Sequence, residues 1–329
     1  MVDLTVKEDV SLVLSSARLR RSYRAERTFK NMTLACALLV AVMFAGIIWS
    51  LFDGAWPAIR VFGASFLFTE AWNPATERFG ALAPIYGTLV TSLIAMLISV
   101  PIGIGIAIFL TELCPRGLRR PIGIAVELLA GIPSIIYGIW GLFVLAPILR
   151  ATLQPFLISL FGDIPLLSSV FAGPPYGIGV FTAGLILAIM TLPFVAAITR
   201  DVFDTVPPVL KEAAYGLGAT VWEVQWKVVL PYARAGVVGG VMLALGRALG
   251  ETMAVTFVIG NAHRIDPSVF APGTTISAAI ANEFTEAFGE LYTASLVELG
   301  LILFFVTSLV LAAAQFMLYR LESRAGERT

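Results

Sequence analysis

The sequence predicts an all-α polytopic membrane protein with six transmembrane helices, and three observations carry that prediction. Mean hydropathy is +0.89, and 58% of the 329 residues are hydrophobic. Only 13% are charged, against about a quarter in a soluble domain. Apolar runs of about bilayer length, roughly twenty residues, recur at 32–52, 86–111, 122–147, 177–199, 233–260 and 294–318. Lys+Arg and Asp+Glu balance at 22 each, so no global basic field points to nucleic acid. Cys36 falls in a predicted membrane helix and Cys114 in a predicted cytoplasmic loop, which makes them poor disulfide partners. The single histidine, His263, cannot build a metal cluster with them, and all three read as filler.

The first run follows a leader that holds Arg18, Arg20, Arg21, Arg24, Arg27 and Lys30. That leader is too long, and the apolar stretch too extended, for a cleaved signal peptide, so the run is a retained first span. The second run contains Pro101, Gly103 and Gly105, the third Gly131, Pro133, Gly138 and Gly141, and the fourth Pro193. Neighbouring helices can re-satisfy the backbone groups that proline frees in a bilayer, and small residues let helices approach closely. Packing and kinking explain most of these positions; the functional alternative is a set of kinked helices that line a path and rock between two states. The sixth run has no charge between Leu299 and Leu318. The connections at 53–85, 148–176 and 261–293 are rich in Pro, Gly and aromatic residues, which predicts short interfacial helices joined by turns.

Charge then predicts orientation. With the N-terminus in the cytoplasm, seventeen Lys/Arg lie on the inner side and four (Arg60, Arg78, Arg150, Arg264) on the outer side. That bias places both termini in the cytoplasm. The expected organisation is a cytoplasmic leader at 1–30, one six-helix membrane domain at 31–320 with a cytoplasmic loop at 204–231, and a cytoplasmic tail at 321–329. No internal repeat breaks the domain.

The loop between spans four and five carries the first functional motif. Asp204 or Thr205 can cap a helix whose first turn accepts Pro207 and Pro208. Gly218 then permits a turn, and Ala219 to Val229 can form a second short helix ended by Pro231. A protruding helical hairpin suits insertion into a groove on another protein. Small Ala213 and Ala214 allow close docking, and Glu212 offers a charge-assisted hydrogen bond. Glu212-Ala213-Ala214, then Gly218, Val228 and Leu230-Pro231, resembles the Glu-Ala-Ala loop of ABC-importer permeases, with Val where Ile is usual. The resemblance implies a type I (MetI-like) importer-permease architecture in which Glu212, Ala213, Ala214, Gly218, Leu230 and Pro231 couple the membrane domain to an ATPase. The chain has no Gly-x-x-x-x-Gly-Lys-Ser/Thr loop of its own to hold nucleotide phosphates. The reading is therefore a transport subunit rather than an enzyme, without a cofactor of its own, ATP and magnesium being held by the partner.

The second motif is Arg247 within the fifth run, followed by Glu251 and Thr252. Four residues apart on one continuous helix, Arg247 and Glu251 would share a face. Intramembrane charge costs at least about 2.5 kcal/mol on insertion scales, which turns such residues towards a bundle interior. One reading is an internal salt bridge that holds helices in register. The other is an oxyanion site, with the guanidinium as a fork and Glu251 accepting the P–OH of hydrogen phosphate. Sulfate has no such proton and would meet repulsion. The run from Leu245 through Arg247, Glu251, Thr252 and Thr256 to Asn261 is similar to the PstC family of phosphate-specific ABC importer permeases, as is the segment from Glu127 through Pro133 and Tyr137 to Gly138. That resemblance covers about residues 30–320. It implies phosphate passage at Arg247, Glu251 and Thr252, a heterodimer with a PstA-type permease, a PstB-type ATPase homodimer and a periplasmic phosphate-binding protein at a bacterial inner membrane. Rival readings are a permease for another oxyanion or solute, a proton-coupled secondary anion transporter using the same charges, and an added phosphate-sensing role. Glu127, near the inner end of the third run, is read as a helix contact.

Overall fold

The computed structural model describes the backbone of residues 3–165 and 167–326 and the side chains of 26–165, 167–316 and 319. The leader side chains up to residue 25 and those of the tail at 321–329 lie outside the described residues. Residues 1–53 and 54–329 form two compact units. The first is the N-terminal part of helix α1 (Asp3–Phe62). Its apolar side chains, such as Met32, Leu39, Phe44 and Trp49, are exposed, as befits a helix whose solvent is hydrocarbon.

The second unit contains α2 (Leu82–Ile108), α3 (Arg116–Ala130), α4 (Ser134–Trp140), α5 (Val180–Asp204), α6 (Pro208–Gly216), α7 (Val221–Val224), α8 (Leu230–Leu249), α9 (Met253–Thr256), α10 (Ile276–Glu283) and α11 (Glu290–Gly326). Short helical turns in the connections include Ser65–Phe68, Leu153–Phe161 and Leu167–Val170. Among the described residues, six stretches are long and apolar enough to cross a membrane: Glu26–Phe62, Leu82–Leu113, Ser134–Phe161, Val180–Asp204, Val221–Leu249 and Glu290–Phe316.

α2 and α5 make the most extensive helix pair, and α8 packs on both of them, chiefly on α5. Gly236 and Gly240, one turn apart on α8, allow that approach. A Cβ at Gly236 would stand 2.6 Å from Val202 and one at Gly240 2.7 Å from Ile198, so this seam is a small-residue helix contact. The buried centre contains Tyr137 of α4, Ile186, Leu187 and Met190 of α5, and Ala254, Val255, Val258 and Ile259 from the α9 region.

Two expected spans are corrected. The third does not begin at 122: α3 ends at Ala130, and the apolar stretch long enough to cross begins at Ser134. Pro133 disfavours helical backbone in the residue before it, which separates an amphipathic α3 from α4. The fifth stretch starts earlier and stops sooner than 233–260. Pro231 does not end a short helix but sits in the first turn of α8, entered through the π-helical turn Gln225–Val229, where the missing N–H does little harm. The helix stops at Leu249 because Gly250 leaves helical geometry at φ −94 and ψ 1.

Candidate functional site

The hairpin forms at 208–230. Val206, Val224 and Val229 join Ala107, Phe203, Ala233 and Val237 in a buried cluster that fastens it to α2, α5 and α8. Asp204 and Thr205 do not cap α6 as expected: α5 runs on through Asp204, and Pro207 caps α6. The turn comes at Gly218, whose φ of +84 suits glycine. Thr220 then starts α7 with a reciprocal capping box, its backbone N–H donating to Glu223 Oε2 at 3.0 Å while its Oγ1 accepts from the Glu223 N–H at 3.3 Å. Lys211 donates to Glu112 Oε1 at 2.7 Å and ties α6 to the end of the second span. Burial raises the nearby Tyr215 hydroxyl above its ordinary pKa, and the Glu112 charge adds to the effect.

Its next-door neighbour is different. Glu212 is exposed and makes no ion pair among the described residues, and Ala213 beside it is also open. Leu217 is 91% exposed at the tip, with Val209 and Trp222 also open. A groove of about 320 Å³ runs between Ala214, Gly218, Ala219, Val224 and Val228. Apolar groups presented around an unpaired carboxylate are features of a docking surface. Leu230 is half-buried at the hairpin base and Pro231 exposed, so these two shape the entry to α8 rather than the tip.

At the far end of α8 the expected charge pair does not form. Arg247 lies in the last helical turn, but Glu251 falls in the unwound segment 250–252. The shared helix face is lost with the helix, and the two make no ion pair among the described residues. Instead Arg247 Cζ stands 4.6 Å from the centroid of the Phe194 ring, one residue beyond Pro193 of α5, a cation–π contact. Tyr137 of α4 donates its hydroxyl to the Leu129 carbonyl at 2.8 Å. Glu251 Oε1 accepts from the Ala254 N–H at 3.3 Å and caps the short α9. Thr252 is half-buried and accepts at its carbonyl from Thr256 Oγ1 at 2.8 Å. The salt-bridge reading is thereby removed. What stands is a guanidinium without a carboxylate partner beside irregular backbone, an arrangement tolerated at membrane depth where protein or a water-filled cavity surrounds it.

The two sequence segments similar to the phosphate-permease family meet at this point. A Cβ at Gly138 of α4 would stand 3.0 Å from the Met253 carbonyl oxygen and 3.2 Å from Ala254 Cα. Sequence reading treated His263 as filler, and the structure shows otherwise. His263 Nε2 lies 2.7 Å from Glu283 Oε1 and its ring stacks on Trp72 at 4.9 Å. Glu298 of α11 was overlooked as well: it is only 6% exposed, and its Oε2 has no hydrogen bond with the described residues.

Residues 85–326 match the family described as "Binding-protein-dependent transport system inner membrane component". A "Phosphate transport system permease protein PstC" of Mesorhizobium japonicum is 67% identical over 323 residues, 98% of this chain and 99% of that one. Its counterpart in Pasteurella multocida is 56% identical over 303 residues, 92% and 94% of the two chains. Among solved structures, the methionine ABC transporter MetNI in an inward-facing conformation aligns at a TM-score of 0.52 and 18% identity, covering 72% of this chain and 94% of that one. That likeness concerns the fold, and it agrees with the expected six-helix, MetI-like architecture. By family match and by identity along nearly its whole length, the chain belongs to the binding-protein-dependent transport inner-membrane components, in their PstC branch.

Proposed function

We propose that this chain is the membrane-spanning permease subunit of an ATP-driven inorganic phosphate importer. It forms half of the translocation path and is a transport subunit rather than an enzyme. The observation that carries the anion chemistry is Arg247: a guanidinium in a membrane-spanning helix, over an aromatic ring and without a carboxylate partner among the described residues. Such a group gains most from an oxyanion that supplies the missing charge. Glu251 and Thr252, in the unwound segment that follows, are proposed to meet the same anion. The exposed Glu212–Gly218 tip supports a docked ATPase, which would hold ATP and magnesium. A PstA-type permease would supply the other half of the path, two PstB-type ATPase copies the drive, and a periplasmic phosphate-binding protein the cargo. The setting is a bacterial inner membrane with both termini in the cytoplasm.

The test is labelled-phosphate uptake in phosphate-starved cells that lack other phosphate transporters, with variants at matched membrane levels. Arg247→Gln is expected to lose uptake while the complex still assembles; uptake at the wild-type level would remove Arg247 from the path. Glu251→Gln is expected to let sulfate compete better with phosphate. Unchanged discrimination would show that Glu251 does not read the proton on the anion.

A further inference from the structure

At the hairpin end of the bundle, α3 crosses the end of α5 and encloses a pocket of about 420 Å³. Gly123 of α3 faces the Arg200 guanidinium: a Cβ there would stand 2.9 Å from Arg200 Nη1. Four arginines line the pocket (Arg116, Arg119 and Arg120 from α3, Arg200 from α5) against two carboxylates, Glu127 and Asp204. Both carboxylates are already engaged. Arg119 Nη2 holds Asp204 Oδ1 at 2.7 Å, and Arg200 Nη2 holds Glu127 Oε1 at 2.7 Å and Asp201 Oδ1 at 2.8 Å. Arg116 and Arg120 make no ion pair among the described residues and are exposed. With Asp201 counted, four arginines meet three carboxylates and a net positive charge of one remains, with Arg116 and Arg120 as unpaired forked donors that suit planar or tetrahedral oxyanions.

The rest of α3 adds a second observation. Beyond its basic first turns it presents Ile124 and Leu128 at 46% and 68% exposure, and Leu118 is open among the arginines. A short helix that is basic at one end and apolar on its open side is built for the boundary between headgroups and acyl chains. Basic pockets between membrane helices on the cytoplasmic side are a recurrent way of holding anionic headgroups.

We propose that this pocket binds a phosphoryl oxyanion at Arg116 and Arg120, carried by the headgroup of an anionic phospholipid or by inorganic phosphate. Phosphate diester and hydrogen phosphate present the same unprotonated oxygens to the two guanidinium groups. The lipid source stands apart from the transported solute; the phosphate source rests on the phosphate reading above.

The experiment uses the assembled transporter, compared with Arg116→Gln/Arg120→Gln and, as a charge-retaining check on assembly, Arg116→Lys/Arg120→Lys. Native mass spectrometry measures retention of phosphatidylglycerol against phosphatidylcholine. Labelled inorganic phosphate binding is measured in phosphatidylcholine nanodiscs, with Arg247→Gln present in every sample so that the proposed path does not contribute. If lipid is the source, wild type retains phosphatidylglycerol and the glutamine pair loses about 25-fold, near fivefold for each arginine. If phosphate is the source, that loss appears in the phosphate assay instead. The lysine pair should fall between, keeping charge without the fork. Equal phosphatidylglycerol retention and equal phosphate binding in wild type and the glutamine pair would overturn the proposal, whatever Arg247→Gln does to uptake.

Discussion

Glu283 gathers side chains from three other stretches of the chain. Its carboxylate takes hydrogen bonds from Trp72 Nε1 at 2.5 Å and the Tyr292 hydroxyl at 2.7 Å, and it pairs with His263 at 2.7 Å. Burial on its own would raise this carboxyl. The hydrogen bonds from His263, Tyr292 and Trp72, together with the His263 charge, outweigh it and hold Glu283 below its ordinary value of 4.5. A carboxylate with a lowered pKa favours the fold fully above its unfolded value, and the benefit is lost as pH falls through the folded one. Melting temperature should therefore drop for wild type on acidification below about pH 4.5, and Glu283→Gln should show a flatter acid limb. At neutral pH that variant should be less stable by about 2 kcal/mol, the scale of hydrogen bonds to a charged group. Thermal unfolding of the detergent-solubilised complex across pH measures both, and parallel curves would show that the carboxylate charge does not hold these loops. None of this was legible in the sequence, because Trp72, His263, Glu283 and Tyr292 share no spacing. Only the folded connections bring them together.

At the scale of elements, the second, fourth and sixth membrane helices were legible because each is a long apolar run without an internal break. The third and fifth were misplaced for one reason: hydropathy does not register where backbone geometry fails. Ile132-Pro133 splits an apolar window into α3 and α4, and Gly250-Glu251-Thr252 unwinds one that stays apolar as far as Gly260. The hairpin was legible as a motif, but its caps were not: α5 runs on through Asp204, which pairs with Arg119, so α6 starts after Pro207, while Thr220 with Glu223 starts α7. Two predictions belong here. Gly240→Val would push a side chain into Ile198 across the α5–α8 seam and should lower stability by about 1–3 kcal/mol, the usual cost of overpacking. A melting temperature equal to wild type would show that the seam can open to make room. Leu217→Asp at the hairpin tip should leave chain levels unchanged and weaken ATPase co-purification, since the side chain is 91% exposed and touches little of its own fold. Full recovery of the ATPase with this variant would place the docking surface elsewhere.

At the scale of the whole molecule, orientation links the charge pattern to both sites. α8 runs from the hairpin at 208–230 to the unwound segment at 250–252, so the two sites lie at opposite ends of that helix, and Arg247 meets α5 part-way along its length at Phe194. If the basic connections face the cytoplasm, the hairpin reaches the compartment that holds ATP, and the Trp72–His263–Glu283 knot faces the side from which cargo arrives. The reverse orientation would strand the coupling surface away from nucleotide. The Lys/Arg distribution favours the first arrangement, seventeen against four. Thiol labelling in a background without native cysteines, Cys36→Ala with Cys114→Ala, decides between them. Gly117→Cys reports the connection beside Arg116, where nothing lies within 4 Å of an added Cβ, and Asp163→Cys reports the exposed connection after Phe161. With a membrane-impermeant maleimide on intact spheroplasts, Asp163→Cys should label at once and Gly117→Cys only after permeabilisation. The opposite pattern would invert the chain and remove both the ATPase contact at Glu212 and the inward delivery of phosphate past Arg247. Accessibility of these two thiols therefore constrains the direction of transport before any flux is measured.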